Sequence, residues 1–178
     1  MMHRNGTVII GNWENGVLDG KALIFPLAGD VFYFKLGDKK ARQLLNTKEF
    51  ETDIQMSPKG TYISYIREQN LYVMDIATGL ERAITTEGGG VIKYGMAEFV
   101  AQEEMKRMTG YWWSGDESKI AFTKVDESPV EEVTRSEIYA DEIKTIKQRN
   151  VLKDHRAVNQ DHAFIEIDLL HRFFESKK

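Results

Sequence analysis

The sequence predicts a mainly β chain: a partial β-propeller of two to three four-stranded blades, with an inserted short helix and a C-terminal amphipathic helix. Three observations predict it. From about 22 to 122, β-branched and aromatic runs alternate with polar turns. The run "GDVFYFKLGDKKARQLL" is matched by "QNLYVMDIATGLERAIT", which sets Val31 and Leu71, and Arg42 and Arg82, 40 residues apart. That period suits a four-stranded blade of roughly 40–50 residues. A Ser-led turn also recurs, as Ser57-Pro58-Lys59-Gly60 and Ser114-Gly115-Asp116-Glu117, each followed by a strand.

Taken in order, "KALIFPLAG" and "DVFYFKLGDKK" read as strands and are followed by "ARQLLNT". "ETDIQMSPKG" is a strand running into its turn, and "TYISYIREQN", "LYVMDIATG" and "ERAITTEG" continue the same blade. The two Ser turns are 57 residues apart rather than 40, so 88–109 contains an insertion of 17. Within it, "AEFVAQEEMKRM" reads as a short helix with apolar positions Met96, Phe99, Val100 and Met108. Past Val130 the charged segment "VEEVTRSEIYADEIKTIKQRN" reads as a strand from Thr134 to Tyr139 and a linker. In the tail, Phe164, Ile167, Leu170 and Phe174 form a helical stripe, with basic residues at the C-terminal end. This divides the chain into a propeller-like unit, 21–150, and a tail helix, 151–178. A closed propeller needs typically 4–8 blades. Open terminal edges predict either a part of a larger protein or association with other chains through those edges. A chain too small to fold stably is the third outcome.

Bulk properties exclude several classes. A hydrophobic content of 42% with 29% charged residues describes a globular chain. The net charge of −4 argues against a nucleic-acid surface. With no cysteine, disulfides and thiolate chemistry are excluded. The apolar run Val8-Ile9-Ile10 is too short for a signal-peptide core, and nothing approaches the ~20 residues of a membrane span. The chain as it stands is expected to be cytoplasmic by default. His155, His162 and His171 are spaced 7 and 9, unlike ligand pairs on a helix, so no metal is expected. Gly88-Gly89-Gly90 lacks the context of a phosphate loop and reads as a hinge, so no cofactor is expected. Glu131 and Glu132 read as solvated. No G-x-S-x-G occurs in the sequence.

Two acids break the pattern of the inserted helix. On a 3.6-residue period, Glu103 and Glu104 stand where the inward stripe asks for apolar residues. Two buried carboxylates repel, and a shared cation relieves them; an ammonium, with three donors, is suited to the task. Adjacent helical residues point about 100° apart, so both reach one ligand only near a helix end or bend. The alternative is that the acids face solvent or pair with Lys106 or Arg107, and pattern alone favours it. The following Tyr111-Trp112-Trp113 reads as blade core rather than ligand platform.

Taken together, "LYVMDIATG", the double-Glu helix, "GYWWS", "IAF" and "DESPV" resemble the N-terminal propeller of the dipeptidyl peptidase IV family, especially its bacterial form, over about 21–150. The resemblance implies that Glu103 and Glu104 are the pair that holds the free α-ammonium of a peptide substrate. It also implies a parent serine peptidase that releases Xaa-Pro or Xaa-Ala dipeptides. The family often has Asp-Trp where Glu98-Phe99 stand here, and its substrate-binding Arg has no motif match. The tail resembles the end of the family's hydrolase domain, with His155 at the catalytic histidine's place but Arg156 replacing the family's Gly. A non-catalytic peptide- or protein-binding module is the alternative function.

Overall fold

The computed structural model describes residues 22–149, together with the backbone of 13–14, 17–18 and 159–166. Two minimal strands, β1 (Trp13–Glu14) and β2 (Val17–Leu18), pair with each other. The first blade is an antiparallel sheet of β3 (Ala22–Leu27), β4 (Asp30–Lys35) and β5 (Arg42–Leu45). The second is a four-stranded meander of β6 (Thr52–Met56), β7 (Tyr62–Arg67), β8 (Asn70–Asp75) and β9 (Glu81–Ala83). The third contains β10 (Ile92–Tyr94), β11 (Tyr111–Trp113), β12 (Lys119–Asp126) and β15 (Asn159–Glu166), with the short helix α1 (Phe99–Glu103) between β10 and β11. β13 (Glu132–Ile138) and β14 (Ile143–Arg149) form a separate hairpin.

The 40-residue repeat is structural. Val31 and Leu71 are each the second residue of their strand, β4 and β8, while Arg42 and Arg82 lie in β5 and β9. The Ser turns are built alike. Ser57 Oγ accepts from the Tyr62 amide at 2.9 Å, and Ser114 Oγ from the Lys119 amide at 2.9 Å. In both, the Ser amide donates back to the carbonyl of that partner at 2.9 Å. The turns also meet: Glu117 Oε1 accepts from the Lys59 amide at 2.6 Å, and Lys59 Nζ donates to the Asp116 carbonyl at 2.9 Å. The recurring motif therefore also locks the second blade to the third.

The second blade is covered on both faces, which explains why its strands read as near-continuous apolar runs. Tyr62, Ile66, Leu71 and Val73 pack on the third blade through Tyr94, Tyr111, Ile120 and Phe122. The alternate residues Ile63, Tyr65 and Met74 pack on the first blade with Ile24, Val31 and Leu45. Successive strand side chains point to opposite faces, so this central sheet contributes to two cores at once.

Two expectations are corrected. The expected linker is the second strand of a hairpin: β14 pairs with β13 from Glu132↔Arg149 to Ile138↔Ile143. Most of the hairpin's described side chains are exposed, so no buried face imposed a period-2 signal. The tail does not enter a helix at Phe164. Residues 159–166 pair with the whole of β12, Phe164 opposite Ala121. The free edge of β12 offers eight backbone positions to pair, and that demand overrides a helical stripe. Residues 167–178, which carry the rest of the stripe, lie outside the described residues, as does His155.

Leu71 is fully buried between two blades, whereas Leu27 is 58% exposed. Leu71→Ala is expected to lower stability by about 2–5 kcal/mol, and Leu27→Ala to stay within about 0.5 kcal/mol. Urea unfolding followed by circular dichroism checks the contrast.

Candidate functional site

The site is an interruption in a strand. β10 and β11 both pair antiparallel with the same edge of β12: Tyr94 lies opposite Lys124, and Tyr111 opposite Phe122. Two steps along β12 thus match seventeen along its partner edge. Fifteen of the 17 extra residues inferred from the repeat are therefore looped out here.

The loop is closed at its base by backbone contacts. Met96 and Thr109 form a β-bridge, the Gly110 amide donates to the Gly95 carbonyl at 3.0 Å, and the Thr123 hydroxyl donates to Met96 O at 2.9 Å. Two glycines make this approach possible. A Cβ on Gly110 would lie 2.4 Å from the carbonyl carbon of Met96, and Gly95 takes a φ of +67° beneath Ile66. Ala or larger at either position forces backbone or core to move.

Within the loop, Glu98 caps α1. Its carboxylate accepts from the amides of Val100 at 2.6 Å and Ala101 at 2.7 Å, satisfying donors that a helix start leaves unpaired. Ala97 and Ala101 are fully buried and form the packed side of the helix. After Glu104 the chain reverses at Lys106, which has a φ of 54°, and the Arg107 amide returns to the Ala101 carbonyl at 3.0 Å.

The expectation of two inward acids is therefore corrected. Glu103 and Glu104 are exposed, while Phe99 and Val100 are half-buried. A one-turn helix has little inward surface, and Ala97 and Ala101 occupy it. Both acids do lie at the end of the helix. Glu103 is the last helical residue and Glu104 the C-cap. The nearby cations do not neutralise them. Arg107 donates to the Thr109 carbonyl at 2.7 Å and lies 5.9 Å from the Trp112 ring centroid. Among the described residues, neither carboxylate has a hydrogen-bond or ion-pair partner. Two anions at the carbonyl end of a helix form a negative spot suited to a cation. No group of three or more metal-ligating side chains occurs among the described residues.

The aromatic run divides as its strand alternation requires. Tyr111 is fully buried, and Trp113 stacks on Tyr62 at 5.7 Å and donates to Ser64 Oγ at 2.8 Å. Trp112 faces out, 44% exposed. The Tyr111 hydroxyl donates to the Asp53 carbonyl and lies 3.1 Å from that of Ser64. Burial, and then the charge of Asp53, push this phenol well above its usual range.

Asp53 itself escaped the sequence reading. Its Oδ1 accepts from the Thr109 hydroxyl at 2.8 Å, so a second-blade strand grips the base of the loop. Burial raises its carboxyl above the ordinary 3.8, against the opposing pull of Thr109 and Gln55. In sequence, Asp53 is one polar residue in an alternating strand, which carries no such signal.

A family model described as the dipeptidyl peptidase IV (DPP IV) N-terminal region matches residues 19–152. A probable dipeptidyl-aminopeptidase B of Aspergillus niger is 32% identical over 125 residues, covering 68% of this chain and 13% of that protein. The Emericella nidulans counterpart is 38% identical over 77 residues, 43% of this chain and 8% of its own length. In the crystal structure of Porphyromonas gingivalis dipeptidyl peptidase 4, 20% identical, the same fold recurs with a TM-score of 0.58, over 72% of this chain and 20% of that one. The chain belongs to the dipeptidyl peptidase IV N-terminal region family. It spans about an eighth or less of the curated relatives cited here. These relatives are fungal and the solved structure bacterial, so the matches do not single out a bacterial type.

Because Asp53 is an acid whose folded value is raised, ionising it costs stability. The cost is absent below the ordinary 3.8 and grows as pH rises through the folded value. Asp53→Asn carries no such cost. Its melting temperature is expected to gain on the parent's as pH rises from about 4 to about 7. A gap independent of pH would contradict this.

Proposed function

We propose that this chain carries the N-terminus-recognition element of a dipeptidyl peptidase IV-like serine peptidase. Glu103 and Glu104 hold the α-ammonium of a peptide, and the parent enzyme releases Xaa-Pro or Xaa-Ala dipeptides from free N-termini. The observation that carries this reading is the pair of exposed carboxylates, without cationic partners, at the C-terminal end of α1. The family match over residues 19–152 supports it.

An ammonium supplies one charge and three donors, so two carboxylates can share it through charge-assisted hydrogen bonds. Exposed ion pairs contribute only about 0.2–1 kcal/mol each, so capture by this chain alone is weak and falls with salt. The helix end fixes where the amine sits, and thereby how far along the peptide a nucleophile would act. The sequence contains no G-x-S-x-G, so that nucleophile is not an α/β-hydrolase serine of this chain. Capture without hydrolysis is the activity assigned to the chain by itself.

Calorimetric titration with a free-amine peptide and its N-acetylated twin tests the reading. The free amine binds and the acetylated peptide does not, and Glu103→Gln or Glu104→Gln weakens the free-amine binding about fivefold. Equal binding of both peptides, or of parent and variants, overturns it. Pure chain is also expected to leave a chromogenic dipeptide substrate uncleaved. Turnover abolished by a serine-directed inhibitor contradicts that expectation.

A further inference from the structure

We propose that Asp53 is a positioning residue for the Glu103–Glu104 site, acting across the boundary between two blades through the hydroxyl of Thr109. This rests on the amine-capture reading for its ligand, but not for its geometry.

Asp53 belongs to β6, and the loop that carries the acids belongs to the third blade. The ladder between β6 and β7 breaks register between Thr52 and Gln55, and Asp53 takes a left-handed φ of 49° there. That bulge takes Asp53 out of the regular ladder. Its Oδ1 accepts from Thr109, its carbonyl accepts from the Tyr111 hydroxyl, and Gln55 Nε2 lies 3.5 Å from the Thr109 hydroxyl. One residue thus holds positions 109 and 111, where the loop rejoins its strand. From Thr109 the connection continues inward: its carbonyl receives Arg107, and its bridge partner Met96 begins the loop. Asp53 acts on the acids through this chain of contacts.

Fold stability alone does not account for the residue. Its Oδ2 is sealed from solvent without a hydrogen-bond partner among the described residues. A buried unsatisfied oxygen and a left-handed non-glycine residue in a strand both cost stability. Such features persist where they fix a segment in place, and the segment fixed here carries the double glutamate.

Hydrogen exchange on the full chain tests the proposal. The amides of Ala97 and Arg107, bonded to the carbonyls of Met108 and Ala101, report on the loop. The Leu71 amide, bonded to Thr85 Oγ1, reports on the second blade. Thr109→Val removes the donor, and Asp53→Gly removes the carboxyl while permitting the left-handed φ. Each is expected to speed exchange at Ala97 and Arg107 about tenfold, leaving Leu71 unchanged. The double variant should be no faster than either single one. Asp53→Asn, which retains an acceptor oxygen, should stay within about twofold of the parent. Unchanged loop exchange, or additive effects in the double variant, overturns the proposal. The peptide titration then separates the two readings. A loosened loop in a chain that never distinguishes free from acetylated peptide refutes amine capture and supports positioning. A parent that distinguishes them, with variants binding as tightly, refutes positioning.

Discussion

An interrupted strand is held together by a continuous one, and the candidate site depends on that pairing. β12 runs unbroken for eight residues and accepts β10 and β11 end to end along one edge. Of the sixteen residues between them, the ladder has room for one opposite Thr123, so fifteen must leave the sheet. Because the two halves of the split strand stay in register with β12, the loop leaves and returns at one place. The close approach there admits only glycine at position 110 without displacing the Met96 backbone. Loop closure is entropically costly, and here the sheet has already brought the ends together. A one-turn helix, marginal by itself, can then form between them.

The same arrangement accounts for the charge at the helix end. Ala97 and Ala101 use the inward surface, Glu98 uses its carboxylate on the first amides, and Arg107 turns back to Thr109 and Trp112. Arg107, one of the two nearby cations, is thus engaged elsewhere, and no ion pair joins Lys106 to either acid among the described residues. The two acids remain in solvent, where an ion costs little to maintain and an incoming ammonium need displace no protein partner. Asp53 adds a second blade to the assembly, so the position of the acids relative to the neighbouring sheet is set by a side-chain grip as well as by the ladder.

Much of this was legible in the sequence, for identifiable reasons. The blades were readable because their turns demand particular residues: Ser57 and Ser114 each bond the strand that follows, at the same spacing. The insertion was readable because a fixed repeat exposes any excess length. For Glu103 and Glu104 the solvent-facing reading, which the pattern alone favours, holds; the inward one fails because a stripe extrapolated through a five-residue helix overestimates how much of it is buried. The β13–β14 hairpin was half missed because it has little covered face to impose alternation. The strand at 159–166 was missed because its partner, the free edge of β12, is a tertiary feature. Asp53 had no local signature, since its role depends on Thr109, 56 residues away.

The central claim is that a base-closed loop presents two carboxylates without protein partners at the end of one helical turn. Backbone amide shifts of the isotope-labelled chain, followed while a free-amine dipeptide is added, test it most directly. The account predicts saturable shifts concentrated on Glu103 to Lys106, with Gly95 and Gly110 unmoved and no response to the acetylated dipeptide. Shifts spread along the β13–β14 hairpin, or identical responses to both dipeptides, would contradict it.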